Sequence, residues 1–375
     1  MRVLQLLSST GFHGAESMAA ILIRQLHELG VTVDVAVFEN AGRGDRRILE
    51  VVAPYIREGL VVPCRGRLDR STIVALRKYI VQYRLDLIHS HKYKTTLYSL
   101  LSRWHTPCRV VATYHNWLSD TMALRLYAAL DKHLARFCDA AVGVSEQIAR
   151  ELRRYVPVER VHHIDNGVDI HAYRRVLPVA EAKRALGLPE DCAAIGFVGR
   201  FSAQKGIVYL LRALAALPPS LQANVQLIIV GDGEQRSSLT EQARALGLAA
   251  RTHFLGTRND MPSIYSALDV FVLPSEREAF PMVVLEAMAC GLPIIATDVG
   301  DTARIIEDGV SGRVIAPRDV NALRQALGEL LEDPVRAQRM GEAAQERVAG
   351  RFSSARMAQS YHEIYERLLL SPTQG

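Results

Sequence analysis

Short apolar runs rich in Val, Ile and Leu alternate along the chain with longer segments of helical period. This alternation is typical of a parallel β-sheet with helices on both faces, because strands buried on two sides read as continuous apolar runs. The pattern occurs twice, before and after a stretch of low periodicity at residues 169–191. It predicts an α/β fold with two doubly wound units. The predicted strands are residues 3–7, 33–38, 87–89, 110–113, 140–144, 161–164, 194–198, 225–230, 270–273, 294–296 and 312–315.

The chain has 375 residues, of which 49% are hydrophobic and 23% charged. The length is about twice that of an ordinary domain, and the composition suits a globular enzyme rather than a collagen-like or disordered chain. We predict an N-terminal domain at residues 1–170 and a C-terminal domain at residues 171–352. A last helical segment, residues 353–375, is expected to pack back toward the N-terminal domain.

The five cysteines lie far apart, and none forms a C-x-x-C pair. Neither a zinc site nor a disulfide framework is therefore expected, and a reducing cytoplasm is the predicted location. The apolar run at residues 3–7 ends too soon for the core of a signal peptide, and no run of about 20 apolar residues could span a bilayer.

Two glutamates follow the predicted strand at residues 270–273, where loops of such sheets hold ligands. Glu278 falls in the loop and Glu286 in the helix that follows it. The helical rise between them would separate the two carboxylates by about 10 Å, which argues against a general acid and base that flank one scissile bond. Carboxylates accept hydrogen bonds from vicinal hydroxyls, so sugar or ribose recognition is the better use. The alternative is that Glu278 only caps the helix.

The segment from Glu278 to Glu286 resembles the E-x7-E signature of retaining glycosyltransferases of the GT-B type, in particular glycosyltransferase family 4. The resemblance implies two Rossmann-like domains that face each other across a cleft, with the acceptor on the first and a nucleotide-sugar donor on the second. It places Glu278 at hydroxyls of the donor sugar and Glu286 at the ribose. The resemblance also assigns Phe280, Pro281 and Leu285, which lie within the signature, to the donor-binding site.

A second motif, residues 196–206, runs from a strand through a glycine turn into a helix. Gly199, Arg200 and Lys205 put backbone donors and two cations at a helix start, which suits a diphosphate. The pair of cations resembles the diphosphate clamp of the family, although both could be solvated loop charges.

Two weaker signals follow in the second half. Gly231-Asp232-Gly233 lacks the third glycine of a dinucleotide fingerprint, but it resembles the G-x-G turn of the family beside the nucleotide. Arg258 and Asn259 fall where the family usually contacts the base.

The first half supplies other matches. Residues 9–16 resemble the N-terminal glycine loop of the family, where His13-Gly14 replaces the usual Gly-Gly pair; Gly14 is the match, and the role of His13 stays open. His115 occupies the Thr-x-His position, which the family places beside the donor sugar, although a lone histidine is more often structural. Residues 166–169, Asn-Gly-Val-Asp, resemble the hinge between the two domains.

Metal binding is not expected. His89-Ser90-His91 has no third ligand at a suitable spacing, and no Asp-x-Asp motif of metal-dependent GT-A enzymes is present. No cofactor is predicted, since the nucleotide sugar is a substrate.

The expected reaction is retaining transfer of a hexosyl unit to an acceptor hydroxyl in cell-surface polysaccharide, lipopolysaccharide or glycolipid synthesis. Arg200 and Lys205 would stabilise the departing diphosphate. UDP-sugars are more common donors in the family than GDP-mannose. The alternatives are a UDP-sugar epimerase of the same architecture and a non-catalytic binder of membranes or anions.

The formal charge of +5 is uneven, because residues 1–170 have 23 Lys and Arg against 17 Asp and Glu, while the remainder has 22 against 23. Arg125, Lys132 and Arg136 lie on one predicted helix of the first half. This balance is too weak to indicate nucleic acid. It favours an acidic or lipid-linked saccharide acceptor and peripheral contact with an anionic membrane surface at the inner face of the plasma membrane. The alternative is an ordinary amphipathic helix with solvated charges.

Overall fold

The computed structural model describes residues 1–8, 11, 14–39, 45–66, 68–115 and 122–370, without the side chains of residues 122–125. It divides into two compact units, one formed by residues 1–167 with the C-terminal segment from Ser354, the other by Val168–Ser353. The division falls inside the Asn-Gly-Val-Asp segment, between Gly167 and Val168. His13 and the side chain of Arg125 lie outside the described part.

Each unit contains one parallel sheet, which confirms the predicted fold class. The first sheet has the strand order β3-β2-β1-β4-β5-β6-β7, and the second has the order β10-β9-β8-β11-β12-β13. Both orders reverse beside the first strand, as in a Rossmann fold. The strands of the first sheet are β1 Arg2–Leu7, β2 Thr32–Glu39, β3 Glu58–Pro63, β4 Leu87–Ser90, β5 Arg109–Tyr114, β6 Ala140–Gly143 and β7 Val161–His163. Those of the second are β8 Ala193–Val198, β9 Val225–Val230, β10 Thr252–Gly256, β11 Val270–Leu273, β12 Ile294–Thr297 and β13 Gly312–Ile315.

Two strands were not predicted, and both are edge strands, β3 and β10. Their residues are mostly half-buried, whereas β4, β6, β11 and β12 are buried throughout. An edge strand has one neighbour and tolerates polar residues, Gly and Pro, so it lacks the continuous apolar run that marks a central strand.

Helices cover the sheets. In the first unit they are α1 Gly14–Glu28, α2 Arg47–Val52, α3 Arg70–Tyr83, α4 Tyr93–Ser102, α5 Met122–Ala135 and α6 Glu146–Leu152. The second unit has α7 Val179–Ala185, α8 Ile207–Ala215, α9 Pro219–Gln222, α10 Arg236–Ala245, α11 Met261–Ser266, α12 Met282–Ala289, α13 Thr302–Ile305, α14 Val320–Glu332 and α15 Pro334–Arg351. The long helix α15 was not predicted, since the face that it buries is mainly small residues with a weak apolar signal.

The last helix, α16 Ser354–Leu370, packs on α1 in the first unit. Its apolar face joins one hydrophobic cluster with residues of α1 and of β1 and β2. The Tyr365 hydroxyl lies 2.6 Å from Nδ1 of His89, and the Tyr361 hydroxyl lies 3.0 Å from Oγ1 of Thr113. Both tyrosines are buried, so the chain end is part of the core of this unit.

The described side chains of α5 include exposed apolar residues and a buried acid. Leu126 is 71% exposed and Phe137, just beyond the helix, is 59% exposed, whereas Asp131 is buried. Lys132 is partly buried and pairs with Glu151 at 2.9 Å. Among its described side chains, α5 therefore exposes Leu126 and Leu130 together with His133, while Asp131 and Lys132 face the protein.

All five cysteines are free and buried. In the part of the chain that the structure describes, no helix is both long and apolar enough to cross a membrane.

Candidate active site

The candidate site of the second unit is formed by the loops that leave the carboxyl ends of β8, β9, β11 and β12. These are residues 199–206, 231–235, 274–281 and 298–301. In a parallel sheet such loops share one edge, and this is where ligands of Rossmann folds bind.

Glycines let the first two loops touch backbone to backbone. Gly231 has φ +126°, and a Cβ there would overlap the carbonyl oxygen of Gly199. A Cβ at Gly233 would lie 2.5 Å from the carbonyl oxygen of Phe201. The Phe201 amide donates to the Asp232 carbonyl at 2.9 Å, and the Gln235 amide donates to the Phe201 carbonyl at 3.0 Å. The two glycine motifs of the sequence thus form one structural unit.

A third glycine brings the two charged motifs together. Gly206 has φ +64°, and a Cβ there would overlap the carbonyl oxygen of Pro274. Next to this contact, Nζ of Lys205 lies 2.6 Å from Oε1 of Glu278. The side chains of Lys205 and Glu278 are 17% and 12% exposed. The Ser275 hydroxyl donates to the same oxygen at 2.7 Å. A cation and a carboxylate from different motifs are therefore held as a shielded pair.

The loop that carries Glu278 is fixed from its other side by Gly300. This residue has φ +57°, and a Cβ there would overlap the Glu278 carbonyl oxygen and lie 2.6 Å from that of Ala279. The Asp301 amide donates to the Ala279 carbonyl at 3.1 Å. The Glu278 loop is therefore held between Gly206 and Gly300.

The other two candidate cations are more exposed. Arg200 is 74% exposed and pairs with Glu234 at 3.2 Å. Arg258 forms two hydrogen bonds with Asp260, at 2.8 and 2.6 Å, and the neighbouring Asn259 is exposed. The structure does not place a contact between Arg200 and Lys205, because Arg200 pairs within its own pair of loops.

Three residues of the E-x7-E segment pack rather than line an open surface. Leu285 is fully buried in the hydrophobic core, and Phe280 is nearly so, with its ring 6.1 Å from that of Phe352. Pro281 is the buried N-cap residue of α12. The side chain of Leu285 therefore cannot reach a ligand without rearrangement of the core.

Glu286 lies in α12 and is partly buried. Oε2 accepts a hydrogen bond from the Tyr265 hydroxyl at 2.9 Å. Burial raises the pKa of this carboxyl, while the hydroxyls of Tyr265 and Tyr173 counteract part of the rise.

In the first unit, a histidine cluster lies at the ends of β4 and β5. His89, His91 and His115 form a row, with ring centres 4.3 Å apart for the first two and 5.9 Å for the last two. Burial, together with the nearby Lys92, lowers the pKa of His115 to about 4. Burial also lowers the pKa of His89 to about 3 and that of His91 well below 6.5. The cluster is therefore neutral at physiological pH.

Lys92 is the cation beside this cluster. It donates to the buried carboxylate of Glu16 at 2.6 Å, and Glu16 belongs to the first turn of α1, which begins at Gly14. No described atom lies within 4 Å of a Cβ built on Gly14, so packing does not require this glycine. Gly14, Glu16, Lys92 and His115 thus lie at the same edge of the first sheet.

Five residues of these two edges were not predicted from the sequence: Glu16, Lys92, Ser275, Gly300 and Tyr265. Lys92, Ser275 and Gly300 each follow a strand by two or three residues, so a search of every strand end would have found them. Tyr265 follows no strand, and no local pattern distinguishes it.

Replacing Gly300 with Ala should lower stability by about 3 kcal/mol, because the left-handed backbone and the carbonyl overlap both oppose a Cβ. Gly309→Ala is the matched control: its φ is +77°, but no atom lies within 4 Å of the added Cβ. Urea unfolding of both variants measures the difference. Equal losses would show that the backbone conformation alone matters and that the overlap with Glu278 is relieved at no cost.

Two family models match the chain. The model described as Glycosyltransferase Family 4 matches residues 12–172, and the one described as Glycosyl transferases group 1 matches residues 179–347. The D-inositol 3-phosphate glycosyltransferase of Corynebacterium urealyticum is 32% identical over 387 residues, which cover 94% of this chain and 90% of that protein. The UDP-Gal:alpha-D-GlcNAc-diphosphoundecaprenol alpha-1,3-galactosyltransferase of Escherichia coli is 26% identical and covers 79% of each chain.

Solved structures agree on the fold. Anabaena Alr3699/HepE in complex with UDP superposes with a TM-score of 0.86 at 24% identity, over 98% of this chain and all of that one. The complex of the same protein with UDP-glucose gives a TM-score of 0.83. Together with the E-x7-E segment and the two Rossmann-like units, these matches show that the chain belongs to glycosyltransferase family 4 and is a retaining glycosyltransferase of the GT-B fold.

Proposed function

We propose that this glycosyltransferase moves a hexosyl unit from a UDP-sugar to a hydroxyl of an acidic or lipid-linked saccharide, in the synthesis of a cell-surface polysaccharide, lipopolysaccharide or glycolipid. The observation that carries the donor side is the Lys205–Glu278 pair, at 2.6 Å, among the glycine loops of the second unit. Family membership decides against the epimerase and the non-catalytic binder.

Lys205 supplies the charge that the reaction needs. An ammonium group has three N–H donors, and Glu278 takes one of them. The others are left for a diphosphate, whose negative charge grows as the bond to the sugar breaks. A fixed donor in a shielded site stabilises that charge more than a solvated one.

Glu278 and Arg200 have different proposed roles in donor binding. Glu278 is held by Lys205 and Ser275 through Oε1, and Oε2 is the oxygen proposed for hydroxyls of the donor sugar. Arg200 must exchange Glu234 for the diphosphate. Because the Arg200–Glu234 pair is largely solvent-exposed, this exchange costs little.

Several groups complete the proposed donor site. The amides of Gly199, Gly231 and Gly233 already belong to the packed loops, and Arg258 and Asn259 are exposed beside them, as contact with a base requires. Phe280, Pro281 and Leu285 act on this site by packing beneath it.

On the first unit, His115 is proposed beside the donor sugar and Gly14 near the donor phosphates. Neutral imidazole can accept or donate a hydrogen bond to a sugar hydroxyl without adding charge. Lys92 and Glu16 form the neighbouring charged pair, which the proposal assigns to the acceptor side.

The choice of UDP rests on relatives. The HepE structures hold UDP and UDP-glucose, and the Escherichia coli relative is named for UDP-Gal. We expect UDP to raise the melting temperature, with a stabilisation of about 2.7 kcal/mol at 100 times its dissociation constant. A thermal-shift series with UDP, GDP and ADP measures this. A larger shift with GDP would assign the donor to GDP-mannose instead.

Lys205→Ala should lower kcat about 100- to 1000-fold with the donor saturating, because it removes one fixed positive charge from the departing diphosphate. Steady-state kinetics with the UDP-sugar identified by turnover measure the effect. Arg244→Ala, an exposed cation on α10, is the control and should keep wild-type turnover. Near wild-type kcat in Lys205→Ala would remove Lys205 from the chemistry.

We propose that the protein binds an anionic membrane surface through α5 and reaches its acceptor there. Leu126, Leu130 and Phe137 are exposed along this helix and its end, and Arg136 is exposed among them. Apolar side chains beside cations on one helix face are what interfacial binding uses. This face belongs to the unit that carries the excess positive charge.

Vesicles that contain phosphatidylglycerol should bind the protein in a flotation assay, and salt should weaken the binding. The double variant Leu126→Ser, Leu130→Ser should bind several-fold less, since it removes buried apolar area at the interface. Val310→Ser is the control, because the exposure of Val310 lies between those of Leu126 and Leu130 but the residue belongs to the second unit. Binding that ignores lipid charge, salt and the α5 variant would contradict the membrane proposal.

A further inference from the structure

The second glutamate of the E-x7-E segment is held by groups that lie outside the segment. Tyr265, in α11, is fully buried, and its hydroxyl donates to Oε2 of Glu286 at 2.9 Å. Tyr173, which follows the unit boundary, lies close enough to the same carboxylate for its hydroxyl to lower the pKa of that carboxyl. The two phenol rings meet edge to face, with centroids 6.2 Å apart. The carboxylate therefore accepts a hydrogen bond from the Tyr265 hydroxyl, and the phenol of Tyr173 lies beside that pair.

The charges around Glu286 explain why hydroxyls are needed. Among the described residues, no cation forms a hydrogen bond or ion pair with its carboxylate. Cys290, one turn further along α12, is a buried neutral thiol, and Arg175 influences that thiol rather than Glu286. Asp169, near Tyr173, is the other acidic group of the surroundings. Without the two phenols, burial alone would favour the protonated acid.

The number of hydrogen bonds leaves room for a ligand. A carboxylate has about four acceptor positions, and the Tyr265 hydroxyl uses one of them. Two of the remaining positions match the vicinal hydroxyls of one ribose. The phenols themselves stay neutral, because burial and the Glu286 carboxylate raise their pKa far above the physiological range.

We propose that Tyr265 and Tyr173 are positioning residues that fix the Glu286 carboxylate as the acceptor for both ribose hydroxyls of the donor nucleotide. This inference rests on the proposed function, which assigns the ribose to Glu286. Tyr265 contributes more to the positioning of the carboxylate, since it is fully buried and has a well-formed hydrogen bond. Tyr173 contributes less, because it is only partly buried.

The test compares UDP with 2′,3′-dideoxy-UDP, which lacks both hydroxyls, by calorimetric titration at pH 6 and pH 8. The wild type should bind UDP about 10- to 100-fold more tightly, as expected for hydrogen bonds to a charged group. In Tyr265→Phe the preference should fall about tenfold at pH 6 and less at pH 8, because Glu286 is then more often protonated in acid. Titration of the terminal phosphate affects both nucleotides alike and cancels in the ratio.

Three variants bracket this result. Glu286→Gln should remove the preference at both pH values, and Tyr173→Phe should reduce it less than Tyr265→Phe. Tyr209→Phe is the matched control and should keep the wild-type preference, because the Tyr209 hydroxyl donates to Glu276, at 2.8 Å, rather than to Glu286. Circular dichroism of each variant checks that it is folded.

The outcomes separate the two claims. If Tyr265→Phe weakens both nucleotides equally at both pH values, the tyrosine only packs, and the inference is overturned while the proposed function stands. If the wild type shows no preference for UDP, the assignment of ribose to Glu286 fails, and the inference fails with it.

Discussion

The close backbone approach of four loops at the carboxyl edge of the second sheet is the constraint on which the proposed donor site depends. Gly206 admits the Pro274 carbonyl, Gly231 admits the Gly199 carbonyl, and Gly300 admits those of Glu278 and Ala279. Any side chain larger than hydrogen at these positions would separate loops that carry the charged groups. The 2.6 Å contact between Lys205 and Glu278 exists because both loops are fixed before a ligand arrives.

The two units use different chemistry at corresponding edges. The second presents a shielded ion pair and solvent-exposed arginines, which suits a ligand with concentrated negative charge. The first presents three neutral histidines with the Lys92–Glu16 pair, which suits hydroxyl groups. Burial accounts for this neutrality, because a charged imidazole in a dry cluster has no solvent to stabilise it. The division supports a donor side and an acceptor side of one transferase.

Prediction from the sequence was best where a structure repeats a simple pattern. The central strands were found because they are continuous apolar runs, whereas β3 and β10 were missed because an edge strand carries a mixed pattern. Glu278, Lys205 and Gly231 could be named because each lies in a motif that directly follows a strand. The partners of these residues could not be named, since Lys205 and Glu278 are far apart in sequence and only the packing of their loops brings them together. Leu285 was assigned to the donor site from its place in the motif, but its side chain lies in the hydrophobic core. A motif position does not reveal which side chain faces the core.

The sequence by itself determined the α/β class, the two repeated units and the residue types of the donor motifs, because apolar periodicity and glycine spacing are local properties of the chain. Only the tertiary structure decided which groups meet. It paired Lys205 with Glu278, placed the Tyr265 hydroxyl on Glu286, and left Leu126 and Leu130 of α5 exposed. The paired residues are far apart in the sequence, and no local pattern predicts that they meet. The exposure of the α5 side chains depends on which surfaces the rest of the fold covers. Distance and burial, which set charge and hydrogen bonding, arise only when the elements pack.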